Sequence, residues 1–258
     1  MTEDSKRAAL VTGAGVRIGR AIALDLARHG WSVAVHHYGS AEAARETVAE
    51  IAAMGRAAAL LEADLTDEAR TRQLIPEAAA ELGPITCLVN NASQFENDRI
   101  DTATRESWDA HMEVNLRAPF LLIQSFAEAL PSNMTGAVVN MIDQRVWNLT
   151  PYFVSYTVSK AGLWTLTRTL ALALAPRIRV NAIGPGPALP SHHQTPEQFA
   201  AQSKATPLQR GTSEEEICEA VRFILAAAAM TGQMIALDGG QHLSWAPPGR
   251  NASLEEQW

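Results

Sequence analysis

Short apolar segments alternate with longer helical segments along almost the whole chain. Seven segments have the length and the continuous apolar character of buried strands, and helical periodicity fills the stretches between them. Strands without polar alternation are buried on both faces, which is typical of a parallel sheet covered by helices. The pattern predicts a single doubly wound, Rossmann-type α/β domain with a seven-stranded parallel sheet. The predicted strands are 8–11, 31–35, 57–61, 85–89, 137–142, 178–183 and 234–237, and the predicted helices are 18–29, 41–54, 68–82, 108–130, 152–175 and 214–228.

The predicted domain covers residues 1–245, and residues 246–258 follow it as a C-terminal tail. An insertion near 185–212 follows the sixth strand and begins with a segment rich in Pro, Gly and His. Thr195 and Pro196 predict a capped helix start inside this insertion. It is interpreted as a lid over a substrate, with an ordinary connecting loop as the alternative.

Charge and cysteine content narrow the class of partner. The net charge of −7 argues against nucleic acid or an anionic membrane surface as the main partner. No apolar run approaches the roughly 20 residues of a membrane span. Cys87 and Cys218 form neither a metal-binding spacing nor a disulfide framework. We therefore expect a cytoplasmic protein that acts on a small-molecule substrate and holds no metal.

A glycine-containing turn joins the first strand to the first helix. In the segment 12–20, Gly13 permits a tight turn and Gly19 permits close packing of the helix. Backbone N–H groups and the helix N-terminus at such a turn receive a pyrophosphate. The sequence thus predicts a dinucleotide site whose first contacts are Gly13, Val16, Arg17, Ile18 and Gly19.

The end of the second strand bears on the choice between NAD and NADP. NAD sites usually place an acid there to accept from the ribose 2′-hydroxyl, and the sequence 36–40 contains none. Arg17, a histidine and the Ser40 hydroxyl could all donate to a 2′-phosphate. NADP(H) is therefore the predicted cofactor, although the two histidines could also be simple surface residues.

Tyr156 and Lys160 form a candidate acid–base pair. Their spacing of four residues places them on one face of a predicted helix. A phenol with a pKa of about 10 is a poor acid near neutrality. A nearby ammonium is expected to lower the pKa of Tyr156 and so to activate it.

These motifs together resemble the short-chain dehydrogenase/reductase family over residues 8–243. The landmarks are the turn at Thr12 and Gly13, the segment 90–93, Asn115, the segment 156–160, and Pro185 with Gly186. The resemblance implies that Asn115 holds a water beside Lys160. It also implies a homotetramer that uses the two long helices at 108–130 and 152–175. Further cofactor contacts implied by the resemblance are His37, Tyr38, Ser40, Asp64, Leu65, Asn91, Ala92, Ser93, Tyr156, Lys160, Pro185 and Gly186.

One position departs from the usual family pattern. Asp143 stands where most members have a Ser that donates to a substrate carbonyl. An ionised Asp would oppose an oxyanion by on the order of 4 kcal/mol at about 4 Å, or roughly three decades in rate. Either Asp143 is protonated or the substrate is not a simple ketone. Arg145 is a candidate ion-pair partner that would lower the pKa of Asp143.

A C=N substrate removes this conflict, because its nitrogen must gain a proton and a carboxylate favours the protonated form. The sequence is similar here to the pteridine reductase branch, in which Arg replaces the middle glycine and Asp replaces the Ser. The resemblance implies that Phe95 stacks on the substrate, that Ser93 and Arg17 contact substrate and cofactor phosphate, and that Asp143 and Tyr156 manage the proton. The expected activity is NADPH-dependent reduction of a pterin- or dihydrofolate-like C=N ring. A general carbonyl reductase or alcohol dehydrogenase and a non-catalytic NADP-binding sensor are the alternatives.

Overall fold

A computed structural model describes residues 7–191 and 194–243 of the chain. Seven parallel strands form one sheet in the order β3-β2-β1-β4-β5-β6-β7, which confirms the predicted fold class. The strands are β1 Ala8–Val11, β2 Ser32–His37, β3 Ala58–Glu62, β4 Cys87–Asn90, β5 Gly136–Met141, β6 Ile178–Pro185 and β7 Met234–Leu237. The strand order reverses beside β1, and such a reversal opens a crevice at the carboxyl ends of the strands.

Helices cover both faces of the sheet. They are α1 Arg17–Arg28, α2 Ala41–Ala53, α3 Glu68–Leu82, α4 Arg105–Met112, α5 Ala118–Ala129, α6 Val154–Leu174, α7 Pro196–Lys204 and α8 Glu214–Ala226. Within β1, Ala8 and Leu10 belong to one apolar core while Ala9 and Val11 belong to the other. Because side chains alternate along a strand, one continuous apolar run serves both cores.

Most observed boundaries differ from the predicted ones by one or two residues, and three of the differences bear on the site. Strand β2 continues through His36 and His37, which pair with β3 and are buried. The predicted helix 108–130 begins earlier, at Arg105, and contains a π-helical segment, Glu113–Arg117, between α4 and α5. Helix α6 begins at Val154 because Phe153 has a left-handed backbone with a φ of 56°.

The insertion after β6 contains the predicted helix start. The Thr195 hydroxyl accepts from the Gln198 amide, and Pro196 is the first residue of α7. Whether this segment is a lid stays a prediction, and His192 and His193 lie outside the described residues, as does the predicted tail. None of the helices within 7–191 and 194–243 is both long and apolar enough to cross a membrane.

His36 anchors the glycine turn to the sheet. The Gly13 N–H, at a φ of 63°, donates to His36 Nδ1 at 3.1 Å, and His36 Nε2–H donates to the Ala63 carbonyl at 3.1 Å. An imidazole accepts at one nitrogen and donates at the other only when it is neutral. Burial lowers the pKa of His36 from 6.5 to about 4, so the neutral form persists well below neutral pH. The histidine is thus a buried structural anchor of the turn and not a surface residue.

Protonation of His36 should couple the stability of the fold to pH. The folded-state pKa of about 4 lies below the ordinary 6.5, so the unfolded chain binds more protons between these values. The free energy of unfolding should therefore fall on acidification through this window, with His36 contributing at most about 1.4 kcal/mol per pH unit. Urea unfolding measured between about pH 7 and about pH 5 checks this. A His36→Gln variant should show a shallower pH dependence, and an unchanged slope would contradict the assignment.

Candidate active site

A cavity of about 230 Å³ lies at the carboxyl ends of the central strands. Its walls come from the segments that follow β1, β4, β5 and β6 and from the insertion that contains α7. The structure brings together at this cavity many residues that the sequence analysis singles out. They are Arg17, Ile18, Asn91, Ser93, Phe95, Asp143, Tyr156, Lys160, Pro185 and Gly186.

Asp143 and Tyr156 are in direct contact. Strand β5 ends at Met141, and Asp143 caps the 3₁₀ turn Gln144–Val146 that follows it. The Tyr156 hydroxyl donates to Asp143 Oδ2 at 3.0 Å, while Asp143 Oδ1 accepts from the Arg145 amide at 2.8 Å. A carboxyl group therefore stands beside the candidate acid, where most family members have a hydroxyl.

Arg145 does not pair with Asp143 through its charged group. Its guanidinium lies 4.7 Å from the centroid of the Phe153 ring and donates to the Thr150 hydroxyl at 3.3 Å. Only the main-chain amide of Arg145 reaches Asp143. The prediction of an ion pair between Arg145 and Asp143 is wrong. The Arg145 amide takes part in the capping of the 3₁₀ turn, while the Arg145 guanidinium stacks on the Phe153 ring.

Lys160 lies one helical turn after Tyr156, buried beneath the cavity. Its ammonium donates to the Met141 carbonyl at 2.9 Å. Burial lowers the pKa of Lys160 from 10.5 to about 8, and the charge of Asp143 opposes this shift. A lysine with such a pKa still carries its charge at neutral pH.

The pKa of Tyr156 moves opposite to the sequence-based expectation. Burial raises the pKa of Tyr156 well above its ordinary value, and the charge and hydrogen bond of Asp143 raise it further. The ammonium of Lys160 lies 5.8 Å from the Tyr156 ring centroid and is bonded to a main-chain carbonyl. The prediction of a lowered pKa is wrong in this structure, because desolvation and the neighbouring carboxylate both favour the neutral phenol. Tyr156 is therefore a neutral phenol here and donates its hydrogen bond to Asp143.

Asn115 lies in the π-helical segment and is fully buried. Its side-chain oxygen accepts from the Gln94 amide at 2.8 Å and from the Ser93 hydroxyl at 3.1 Å. Its amide donates to the Gln94 carbonyl at 2.9 Å and to Ser159 at 3.1 Å. The described contacts of Asn115 therefore hold the loop after β4, and a role beside Lys160 stays a prediction. π-helical insertions of this kind are frequent at functional sites.

Phe95 belongs to an aromatic cluster on the wall of the cavity. Its ring stacks on Phe153 with the centroids 4.6 Å apart and an interplanar angle of 5°. The Tyr156 ring meets it edge-on at 4.7 Å. A flat substrate on Phe95 would therefore extend an existing aromatic stack.

Arg17 replaces a glycine of the usual family turn without losing the turn's conformation. Its φ of 54° lies in the left-handed region, which costs a non-glycine residue roughly 1–2 kcal/mol. Its guanidinium donates to the Pro190 carbonyl at 2.9 Å. Arg17 thus bridges the turn after β1 and the segment after β6, and strain of this kind is often retained at functional sites.

The surroundings of the turn fit a dinucleotide. Val16 precedes α1 and provides no side-chain cap, so the first N–H groups of this helix are open to an anion. A Cβ at Gly15 would lie 3.0 Å from the Ser40 hydroxyl, which places Ser40 beside the turn. His37 is 2% exposed, and its Nδ1 has no hydrogen-bond partner among the described residues. The open N–H groups at the start of α1 match the phosphate groups of a bound dinucleotide.

Gly19 and Ala92, two further predicted cofactor residues, lie against this turn. A Cβ at Gly19 would meet the Gly13 carbonyl at 2.1 Å, so only glycine allows this approach. The Ala92 amide donates to the Thr12 hydroxyl at 3.0 Å, which joins the segments after β4 and β1. Tyr38 is exposed, Asp64 accepts from Thr66, and Leu65 is buried.

Phe153 and Gln144 are among the residues of the cavity wall that sequence reasoning missed. Phe153 has no motif to mark it, and its importance follows only from its contact with Phe95. Gln144 is 4% exposed, and its side-chain oxygen has no partner among the residues that the structure describes. Its position directly after Asp143 is the signal that could have identified it.

Known proteins resemble this chain over nearly its whole length. The family model for Enoyl-(Acyl carrier protein) reductase matches residues 13–242. The 3-oxoacyl-[acyl-carrier-protein] reductase FabG of Staphylococcus aureus is 33% identical over 247 residues, covering 92% of this chain and 98% of the relative. The probable galactose dehydrogenase GalD of Rhizobium meliloti is 34% identical over 242 residues, covering 91% and 94%.

Solved structures include a more similar protein. The FolM alternative dihydrofolate reductase 1 from Brucella canis, complexed with NADP, is 48% identical with a TM-score of 0.91. The similarity covers 95% of this chain and 97% of that one. A blue fluorescent protein from a metagenomic library, in complex with NADPH, is 31% identical with a TM-score of 0.83, covering 91% and 97%. By its fold, its clustered motifs and these matches, the chain belongs to the short-chain dehydrogenase/reductase family of oxidoreductases.

Proposed function

We propose that this protein is an NADPH-dependent reductase of a C=N bond in a pterin- or dihydrofolate-like ring. The contact between Asp143 Oδ2 and the Tyr156 hydroxyl, at 3.0 Å, carries the proposal. The 48% identity to a protein solved as an alternative dihydrofolate reductase supports it. Cofactor, substrate class and residue roles are parts of the same proposal.

The cavity residues match the needs of C=N reduction. NADPH supplies a hydride when it is bound. The nitrogen of the substrate needs a proton, and Tyr156 holds one because burial and Asp143 raise the pKa of its phenol. The Asp143 carboxylate favours a cationic nitrogen and accepts from ring N–H groups, whereas it would repel a developing oxyanion. Lys160 lies close enough to stabilise the phenolate that remains after proton transfer.

NADP(H) is the proposed cofactor. No carboxylate side chain lies in the segment 36–40 at the end of β2. The Ser40 hydroxyl, which lies beside the glycine turn, is a group that suits a 2′-phosphate. Two solved relatives with NADP or NADPH bound support this choice over NAD.

Lid, assembly and location are proposed together with the activity. Residues of the insertion after β6, among them Leu189, Gln194 and Gln202, line the cavity, which supports a lid. Trp108 and Leu172 expose apolar surface near the two long helices, which supports a homotetramer. The free, buried Cys87 and Cys218 support the cytoplasm as the location.

Substitution of Asp143 separates the proposed activity from carbonyl reduction. Oxidation of NADPH should be faster with dihydrobiopterin, dihydromonapterin or dihydrofolate than with a panel of ketones and aldehydes. In Asp143→Ser, turnover of the C=N substrates should fall by about two orders of magnitude or more, because proton delivery is impaired. Ketone turnover should be unchanged or faster, since the charge that opposes an oxyanion is removed.

The matched control is Asp101→Ser, which removes a charge from an exposed loop residue. It should leave all rates near those of the wild type. Turnover of carbonyls alone, with Asp143→Ser equally fast or faster, would show that the protein is a general carbonyl reductase. Absence of NADPH oxidation with every substrate would favour the sensor interpretation.

The value of kcat should fall at alkaline pH, because Lys160 loses its stabilising positive charge there. Since burial lowers the pKa of Lys160 to about 8, its ammonium is present below this pH and is lost above it. Without that charge the Tyr156 phenolate is less stable, so kcat should decline as the pH rises through about 8. A kcat profile at saturating NADPH tests this. Lys160→Arg, which stays charged, should be slower but lack the alkaline decline; a decline that persists in this variant would assign it to another group.

A further inference from the structure

We propose that Asp98, acting through Ser155 and His111, is a positioning residue that holds the start of α6 and thereby fixes Tyr156 and the Phe95–Phe153 stack together. This inference concerns the oxidoreductase site itself and does not depend on which substrate is reduced.

The N-terminus of α6 has no cap from its own segment. Phe153 precedes the helix in a left-handed conformation and makes no side-chain cap. The loop after β4 supplies the missing acceptors: the Val154 amide donates to the Asp98 carbonyl at 3.2 Å, and the Phe153 amide donates to Asn97 Oδ1 at 3.3 Å. The Ser155 amide donates to Asp98 Oδ1 at 3.0 Å. The first N–H groups of this helix are thus satisfied from a remote part of the chain.

Asp98 is suited to this position by its charge. It is 3% exposed and lies at the N-terminus of a helix of 21 residues, where a negative charge is favoured. Its Oδ2 accepts from Ser155 Oγ in a short hydrogen bond and from Ser107 Oγ at 3.0 Å. Burial alone would raise the pKa of Asp98, but the hydrogen bonds from Ser155 and Ser107 lower it below its usual value. The carboxylate therefore stays ionised and accepts every bond it receives.

His111 extends this network behind the catalytic tyrosine. The Glu96 amide donates to His111 Nε2 at 3.1 Å, so in the neutral ring the proton is on Nδ1. Nδ1–H then donates to Ser155 Oγ at 2.7 Å, and Ser155 Oγ–H donates to Asp98. Burial lowers the pKa of His111, which keeps the ring neutral. From the Glu96 amide through His111 and Ser155, each group donates to the next, and the chain of hydrogen bonds ends on the Asp98 carboxylate.

The elements joined by this network carry the reactive groups. Phe95 belongs to the same loop as Asp98, Phe153 directly precedes α6, and Tyr156 follows Ser155 in its first turn. The Tyr156 ring lies 6.0 Å from the His111 ring and 4.7 Å from the Phe95 ring. Loss of the cap would release the left-handed Phe153 and the first turn of α6 at the same time. Both the substrate platform and the proton donor would then lose their alignment.

The test compares three variants in NADPH oxidation with the best substrate of the panel above. Asp98→Ala removes the side-chain cap of α6 and the carboxylate on which the chain of hydrogen bonds ends. Asp98→Asn keeps an oxygen for the Ser155 amide but turns an N–H donor toward Ser155 Oγ and Ser107 Oγ, so both hydroxyls lose the acceptor on which the chain of hydrogen bonds ends. Ser213→Ala is the matched control, because the Ser213 hydroxyl caps α8 by accepting from the Glu216 amide and does not line the cavity. For each variant, kcat, KM, the NADPH dissociation constant and the Tm are measured.

We expect Asp98→Ala to lower kcat about tenfold or more and to raise KM, with NADPH affinity within about twofold of the wild type. Asp98→Asn should show an intermediate loss of kcat of about threefold or more. Ser213→Ala should lower the Tm while keeping kcat within about twofold. If Asp98→Ala does not fold, Asp98→Asn decides. A kcat near that of the wild type in the folded Asp98 variants, or an equal loss of kcat in Ser213→Ala, would overturn the proposal.

Discussion

All seven strands run in the same direction, and this constraint places every strand end that bears a functional residue at one edge of the sheet. The reversal of strand order beside β1 opens the crevice into which those ends project. Buried amides hold the central strands in register at this point: Asn90 donates to Asn140 at 2.8 Å, and Asn140 donates to Thr167 of α6 at 2.9 Å. Segments that are far apart in the chain are therefore held together in a fixed arrangement at this edge of the sheet.

The electrostatics of the cavity follow from burial as much as from the charges themselves. Tyr156 and Lys160 are both buried. Burial favours the neutral phenol of Tyr156 and lowers the pKa of the Lys160 ammonium. Asp143 raises the pKa values of both neighbours, since a carboxylate disfavours a second negative charge and favours a positive one. A site with these properties retains its protons near neutral pH.

The loop after β4 is fixed at almost every residue. Asn115 binds Ser93 and Gln94, His111 accepts from the Glu96 amide, and Asp98 meets the start of α6. Loops held by so many hydrogen bonds lose little conformational freedom on binding a ligand. This rigidity keeps Phe95 in place beside Tyr156, and it depends on side chains from α4, the π-helical segment and α6.

The amino-acid sequence by itself determined the fold class, the position of the dinucleotide turn and the pair of Tyr156 and Lys160, because these depend on local periodicity and on short fixed spacings. It also identified Asp143 as a departure from the usual family Ser and thus as a residue that bears on the substrate class. Only the tertiary structure decided how these groups interact. The direction of the pKa shift of Tyr156, the turning of the Arg145 side chain toward Phe153 and the capping of α6 by Asp98 each depend on burial or on partners distant in sequence. Desolvation and long-range contacts leave no pattern in a single sequence, since they arise only when separate segments pack together.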